Sequence, residues 1–338
     1  MTSNVKVVVV GAGWVSRTRH VPALHAHPDV ELLGMVAPAE SLRAVPGDEL
    51  RKLGITRTAT GLDSPLAASA DAVMIGTPPT THAALVEEAL LLGKHVLVEK
   101  PMTMTTAEAD RLIALAAEQS LILAVVHNLQ FCRSAVRARD LLDRGDLGEL
   151  RGTMGLQSSN HRRRLPVWYQ DLPLGLFTDE TAHLIYLTQA FLPEATATNI
   201  YVGDPISERD NTPDMVSIAF RSNDRRPGHL LMSFVGSVSE WAFVLQCEER
   251  TVVIDLFRDI LVELPNDNSH LGKDVLRTTV SAVGTHLAGV VTSGSRMLTH
   301  RLDYGNHEVV RRFVQAVRSG EAPPRISADD GRRVVEVI

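Results

Sequence analysis

Through the first third of the chain, short apolar runs alternate with stretches whose apolar positions recur at helical spacing. Residues 5–10, 31–37, 72–75, 96–98 and 121–126 are aliphatic almost throughout, as in strands buried on both faces of a parallel sheet. The segment 81–92 places Leu85, Val86, Ala89 and Leu90 on one helical face, with Thr80 or Thr81 as its cap and Gly93 as its stop. Thr105-Thr106-Ala107-Glu108 reads as a capping box that opens another helix, with Ala109, Leu112, Ile113 and Ala116 inward. Strand and helix in this order predict a doubly wound α/β domain over residues 1–127.

Beyond residue 128 the pattern changes. After a helix that runs to Leu142 and stops at Gly145, longer strands are predicted over 150–158, 198–202, 215–220, 230–235, 243–247 and 251–255, joined by polar turns such as 223–228. Residues 128–338 are therefore expected to form an α+β domain around a large, mostly antiparallel open sheet. Helices are predicted over 177–190, 273–297, 308–318 and from 329 onward. The third-to-last of these carries Val275, Val283, Leu287, Val290 and Val291 among Gly284, Gly289 and Gly294, a spacing that suits packing or a subunit contact, while Arg277, His286 and Arg296 disfavour a membrane helix. The last is still apolar in pattern at Ile338, so the natural chain or its ordered region is expected to continue past it.

Composition narrows the classes. The 338 residues hold 34 basic and 40 acidic side chains, a formal charge of -6, with aromatics at 4%. A mildly acidic chain poor in stacking groups argues against a nucleic-acid ligand. Cys132 and Cys247 stand far apart, which excludes a zinc ribbon and points away from a disulfide scaffold; no metal site is expected. The chain opens into a strand without a signal pattern, and no apolar run reaches membrane-spanning length, so a cytoplasmic protein with no membrane partner is expected.

Two stretches in the first half carry candidate chemistry. Gly11-Ala12-Gly13-Trp14-Val15-Ser16 follows the first strand directly, which is the context of a dinucleotide fingerprint whose third glycine is replaced by Ser16. The ribose acid of an NAD site is expected at the end of the second strand, where Ala37-Pro38-Ala39 stands instead. Glu40 just beyond it would favour NAD, and Arg43 would favour NADP. The apolar strand 96–98 runs into Glu99-Lys100-Pro101, which delivers an acid, a base and a rigid joint at a strand's carboxyl end, where open α/β sheets bind ligands. A cis Lys100-Pro101 bond is accessible there, although most such bonds are trans.

The second half contributes Gly175-Leu176-Phe177-Thr178-Asp179-Glu180-Thr181-Ala182-His183. Asp179 and His183 are four apart and so share a helix face, where a carboxylate can orient an imidazole suited to moving protons near neutral pH. The plain alternative is a first-turn acid that suits the helix dipole and a core histidine. Arg162, Arg163 and Arg164, beside Asn160 and His161, form the dense basic run, read either as a grip on an anionic substrate group or as a solvated turn. Trp168 and Tyr169 could stack on a sugar or complete a core.

Taken together, a Gly-x-Gly start, Thr77-Pro78-Pro79-x-x-His82, Gly93-Lys94-His95-Val96 leading to Glu99-Lys100-Pro101, Gly145-x-Leu147-Gly148 and Gly175-x-x-x-Asp179-x-x-x-His183 resemble the Gfo/Idh/MocA oxidoreductases over nearly the whole chain. The resemblance implies an amino-terminal Rossmann domain, and a carboxyl-terminal domain whose open sheet forms a homodimer or homotetramer contact. It implies hydride transfer between NAD or NADP and a secondary alcohol or ketone of a sugar, nucleotide sugar, cyclitol or related polyol. Lys100, Asp179 and His183 would then be catalytic, Lys100 polarising the reacting oxygen and His183 moving the proton. Gly11, Gly13, Trp14, Val15, Glu40, Thr77, Pro78, His82, Glu99, Lys100, Asn128 and Trp168 would hold the cofactor. Lys100, Arg162, Trp168, Tyr169, Asp179 and His183 would meet the substrate. Three positions depart from the family's pattern: Tyr186 where many members have an aspartate, Ala37 for the ribose acid, and Tyr169 where an arginine often follows the tryptophan. Redox-neutral oxidation and elimination with retained cofactor, and a nicotinamide-binding sensor, remain the alternatives.

Overall fold

The computed structural model describes residues 4–160, 162–163, 165–299 and 302–338. The chain divides into two units, one running through Asn128 and resuming over Asn306–Glu336, the other holding Leu129–Gly305.

The first unit takes in order β1 (Val5–Val10), α1 (Val21–Ala26), β2 (Val30–Val36), α2 (Ala39–Ala44), α3 (Gly47–Lys52), β3 (Thr58–Ala59), α4 (Pro65–Ala68), β4 (Ala72–Ile75), α5 (His82–Leu91), β5 (His95–Val98), α6 (Thr106–Glu118) and β6 (Leu123–Val125). All its strands are parallel, in the order β3-β2-β1-β4-β5-β6. This is the doubly wound sheet the apolar runs predict, and β1, β4, β5 and β6 are buried almost throughout, whereas the edge strand β3 is not. The capping box at Thr105 and Glu108 forms as expected. The expected cap of α5 does not: Thr81 makes no side-chain bond to the helix amides and donates instead to Pro78 O at 2.7 Å. The cause is the short 3-10 turn over Pro79–Thr81, which turns that hydroxyl back toward the preceding loop.

The second unit continues with α7 (Arg133–Asp143), β7 (Leu150–Asn160), α8 (Leu176–Glu180), α9 (Ala182–Phe191), β8 (Thr196–Val202), β9 (Pro205–Ser207), β10 (Asp210–Pro213), β11 (Met215–Arg221), β12 (Pro227–Gly236), β13 (Glu240–Cys247), β14 (Arg250–Asp255), β15 (Ile260–Pro265) and α10 (Gly272–Leu298). Seven strands form one sheet in the order β15-β14-β13-β7-β12-β11-β8, antiparallel at every step except β7 with β12. Alternate residues such as Leu230, Met232, Phe234 and Phe243 face inward and are fully buried, and Phe191 of α9 stacks on Phe243 at 5.8 Å. The helix predicted over 177–190 is divided at Thr181 into α8 and α9, although Thr181 keeps helical backbone angles. The edge strand β15 and the β9–β10 hairpin lie outside the predicted strands, although each pairs with its neighbour in sequence, Ile260 with Asp255 and Asp210 with Ser207.

The chain closes with α11 (Asn306–Ser319) and α12 (Ala328–Val335). Both belong to the first unit, so a single cut after residue 127 does not describe the chain. Arg318 of α11 pairs with Asp29 at 2.9 Å, Val125 N–H donates to Ile326 O at 2.8 Å, and Gly331 of α12 packs against Val125 and Met102. No described helix is long and apolar enough to cross a membrane.

Candidate active site

In the first unit the order of strands reverses between β1 and β4, and the crevice outside their carboxyl ends is where sheets of this kind bind dinucleotides. Gly11 leaves β1 with φ +104, and a Cβ there would lie 2.6 Å from Gly76 O, so this turn admits glycine alone. Its N–H donates to Val36 O at 2.8 Å. Ser16, standing for the third glycine, is fully buried and donates its hydroxyl to Gly76 O at 3.1 Å. It fits because position 76 is also glycine: a Cβ there would lie 2.5 Å from Ser16 Oγ. Trp14 and Val15 stay exposed at the start of the following helical segment, with the Arg19 guanidinium 5.4 Å from the centre of the Trp14 ring. A glycine turn leading into an open helical start fits the pyrophosphate of NAD(P).

At the ribose end, β2 stops at Val36 and Ala37 is buried. Glu40 lies in the first turn of α2 and Arg43 in its last, both exposed. Arg17 ties the glycine loop to α3, donating to Ala12 O at 3.1 Å and pairing with Glu49.

The loops after β4 and β5 are held by buried histidines. His82 is fully buried, with Nδ1 2.7 Å from Pro101 O and Nε2 2.9 Å from Thr77 O, so its ring clamps the two loops together. Burial pushes its pKa down, against the pull of the two carbonyls. His20 is buried under Gly76, with Nε2 2.9 Å from Glu99 Oε1, and the other carboxylate oxygen of Glu99 accepts from Lys100 N–H at 3.1 Å. The Lys100-Pro101 peptide is cis. Glu99 and Lys100 are half-buried at the carboxyl end of β5, and Asn128 follows β6 at the same side of the sheet. His127, next to it, is buried, and desolvation pushes its pKa down to about 4.

In the second unit the site is built on α8 and α9. Gly175 starts α8 at φ +52, and a Cβ there would meet Thr212 Oγ1 at 2.2 Å; that hydroxyl accepts from Leu176 N–H at 3.0 Å. Asp179 and His183 follow on successive turns, both half-buried. His183 Nδ1 lies 2.8 Å from the hydroxyl of Tyr186, which itself accepts from Leu129 N–H at 2.9 Å. The imidazole centre is 5.3 Å from the Trp241 ring. Beside Asp179, Glu180 is buried and accepts from Gln157 Nε2 at 2.7 Å and Ser159 Oγ at 3.0 Å, and it pairs with Arg163. Burial raises the Glu180 pKa, opposed by Arg163.

The remaining expected residues fall in different places. Tyr169 is buried with its hydroxyl donating to Asp210 at 2.8 Å, so the structure places it in the core instead of presenting its ring to a sugar. Trp168 is half-buried and Arg162 exposed, whereas Arg163 is engaged by Glu180. His161 and Arg164 of the basic run lie outside the described residues. Sequence reasoning missed His20, Gln157, Ser159, Glu180 and Trp241. His20 had a signal, one helical turn after Ser16. Gln157 and Ser159 had none beyond their inward alternation on β7. Among the described residues there is no cluster of three or more His, Cys, Asp or Glu able to hold a metal.

Residues 5–127 match the model of an oxidoreductase family described as an NAD-binding Rossmann fold, Gfo/Idh/MocA. Over 155 residues the chain is 37% identical to the dTDP-3,4-didehydro-2,6-dideoxy-alpha-D-glucose 3-reductase of Streptomyces antibioticus, covering 42% of this chain and 43% of that protein. The chain spans half or less of the curated relatives it matches first. In fold it is similar to GenD2 from gentamicin A biosynthesis, solved with NAD, at TM-score 0.77 and 23% identity over 100% of this chain and 93% of that one. It is similar also to KijD10, a 3-ketoreductase from Actinomadura kijaniata solved with NADP, at TM-score 0.73 and 18% identity over 99% and 96%.

Proposed function

Since the chain belongs to the Gfo/Idh/MocA oxidoreductases through its residues 5–127, we propose that it transfers a hydride between NAD(P) and a secondary alcohol or ketone of a sugar-like substrate. Nucleotide sugars are the favoured class, with cyclitols and related polyols beside them, because a curated relative reduces a dTDP-sugar at its 3-position.

The observation that supports this most is the fixed imidazole of the second unit. Tyr186 holds His183 at Nδ1, so proton exchange with a substrate oxygen falls to Nε2, and Asp179 stands one turn earlier to orient that substrate. Lys100 supplies a positive charge beside the reacting oxygen from the end of β5, where charge developing on an alkoxide is stabilised. Bound NAD(P) would give or take the hydride. The glycine turn at Gly11 and the clamp of His82 on Thr77 and Pro101 hold the loops that position it. Trp168, half-buried, and Arg162, exposed, both in the segment before α8, are assigned substrate contact.

We assign self-association to the open face of the seven-stranded sheet, where Met154, Leu156, Tyr201, Met215 and Val235 are exposed. Nicotinamide absorbance, with NAD and NADP offered separately against nucleotide sugars, free sugars and cyclitols, tests the activity. A substrate-dependent change establishes it and identifies the coenzyme; none with any substrate, in folded protein that binds the coenzyme, rejects net hydride transfer in favour of sensing or of redox-neutral turnover with retained cofactor.

A further inference from the structure

α10 is a helix with two very different faces. One face lies along the edge strand β15 and satisfies it: Ser281 Oγ donates to Glu263 O at 2.9 Å, Glu263 N–H donates to Thr285 Oγ1 at 3.2 Å, and Ser293 Oγ donates to Asp259 O at 2.8 Å. Gly289 lets the helix approach, since a Cβ there would lie 2.4 Å from Ile260. The polar side of this helix is thus used within its own unit.

The opposite side is apolar and open. Leu276, Val280, Val283, Leu287, Val290 and Met297 are exposed by 64, 62, 53, 58, 43 and 49% respectively. Their steps are four, three, four, three and seven residues, with Gly294 completing the last heptad, which is the spacing of a coiled-coil seam and not of a face turned to water. No Asp, Glu, Lys or Arg occurs from residue 278 to 295.

We propose that α10 pairs with the α10 of a second copy of this chain, antiparallel about a two-fold axis. The order of sizes along the seam is what selects this occupant and this direction. Antiparallel pairing sets Val283 opposite Leu287, Val280 opposite Val290, and Leu276 opposite Gly294, each layer twice by symmetry, so a large side chain meets the smallest, while at each end Met297 faces Lys273, whose aliphatic stem can cover it. Parallel pairing would set Gly294 against Gly294 and leave a void there. Antiparallel helices also oppose their dipoles favourably. A groove of about 310 Å³ lies beside Val283, lined by Leu264, Val275, Thr279 and Ala282 together with Asp267 and His270. The exposed seam side chains amount to roughly 550 Å² per copy, about two thirds of the ~800 Å² per partner of a standard stable interface. A lipid surface fits less well, because interfacial helices carry Lys and Arg on a polar face turned to water. This contact is separate from the open sheet face, so removing it should leave any sheet-mediated pairing in place.

Sedimentation of the full chain tests the proposal. Wild type should be at least a dimer, and V283E/L287E should halve the mass of the assembly with an unchanged circular-dichroism spectrum, since both side chains are exposed. A288E, exposed but off the seam, should leave the mass as it is. Under oxidation, V280C/V290C should cross-link two chains while V280C by itself should not. A monomeric wild type, an unchanged mass for V283E/L287E, or a cross-link from V280C by itself overturns the pairing. So does binding of wild type, but not of V283E/L287E, to phosphatidylglycerol vesicles with the mass of both unchanged, which would make the face a lipid contact.

Discussion

Tyr186→Phe isolates the device that holds the proposed proton carrier. The ring is 3% exposed, and phenylalanine fills the same volume, so the change removes one oxygen and leaves no cavity. That oxygen accepts from Leu129 N–H at 2.9 Å and holds His183 Nδ1 at 2.8 Å. Leaving a buried amide without an acceptor costs ~1–3 kcal/mol, and the lost contact to the imidazole adds about 1 kcal/mol, so unfolding stability should fall by roughly 2–4 kcal/mol. The catalytic effect is distinct. A positioned acid or base contributes about 10² to 10⁴ in rate, and an imidazole that has lost its orienting partner keeps its chemistry but samples wrong geometries, so kcat should drop by roughly tenfold to hundredfold with little change in KM. Denaturant unfolding and steady-state turnover on the same preparation measure the two effects. Wild-type turnover in a variant that has lost the predicted stability would show that Tyr186 supports the fold and not the imidazole; wild-type values for both would refute the reasoning.

The other predictions concern single residues on each unit. Lys100→Met should lower turnover by about 10² or more while coenzyme binding, followed by fluorescence, persists; an active variant removes Lys100 from the mechanism. Gly175→Ala forces a side chain into φ +52 and onto Thr212 Oγ1, and should cost more than about 2 kcal/mol in denaturant unfolding, an unchanged midpoint being the adverse result. His127 titrates near 6.5 when unfolded but at about 4 when folded, so between those values the unfolded chain binds more protons. Stability should therefore rise with pH from about 4 to 6.5, by at most roughly 3 kcal/mol from this group, and level off above. His127→Gln should flatten the difference between unfolding at about pH 5 and about pH 7.5, and an unaltered slope would contradict the burial argument.

What could be read along the chain was local. The parallel strands β1, β2, β4, β5 and β6 show as aliphatic runs because their central positions are buried on both faces and must be apolar, while Lys6, Glu31 and His95 stand at the less buried ends. Gly11 is legible because a turn with φ +104 tolerates no other residue, and Lys100 because a strand that runs into a proline must end there. Asp179 and His183 could be paired because helical spacing puts them on one face. In each case the physical constraint acts between neighbours in sequence, and so it leaves a mark there.

Where partners are distant in sequence, nothing along the chain marks the pairing. Glu180 gathers Gln157, Ser159 and Arg163; Tyr186 takes up Leu129 N–H; His20 reaches Glu99; and Asn306–Glu336 returns to the first unit. Each residue type involved is ordinary, and a buried polar group records only that it needs a partner, not which one. The apolar pattern and the backbone's steric limits determined the strands, the turns and the candidate acid and base; which side chains hold them was decided by packing, because satisfying a buried charge depends on geometry that exists only once the sheet and its helices have closed around it.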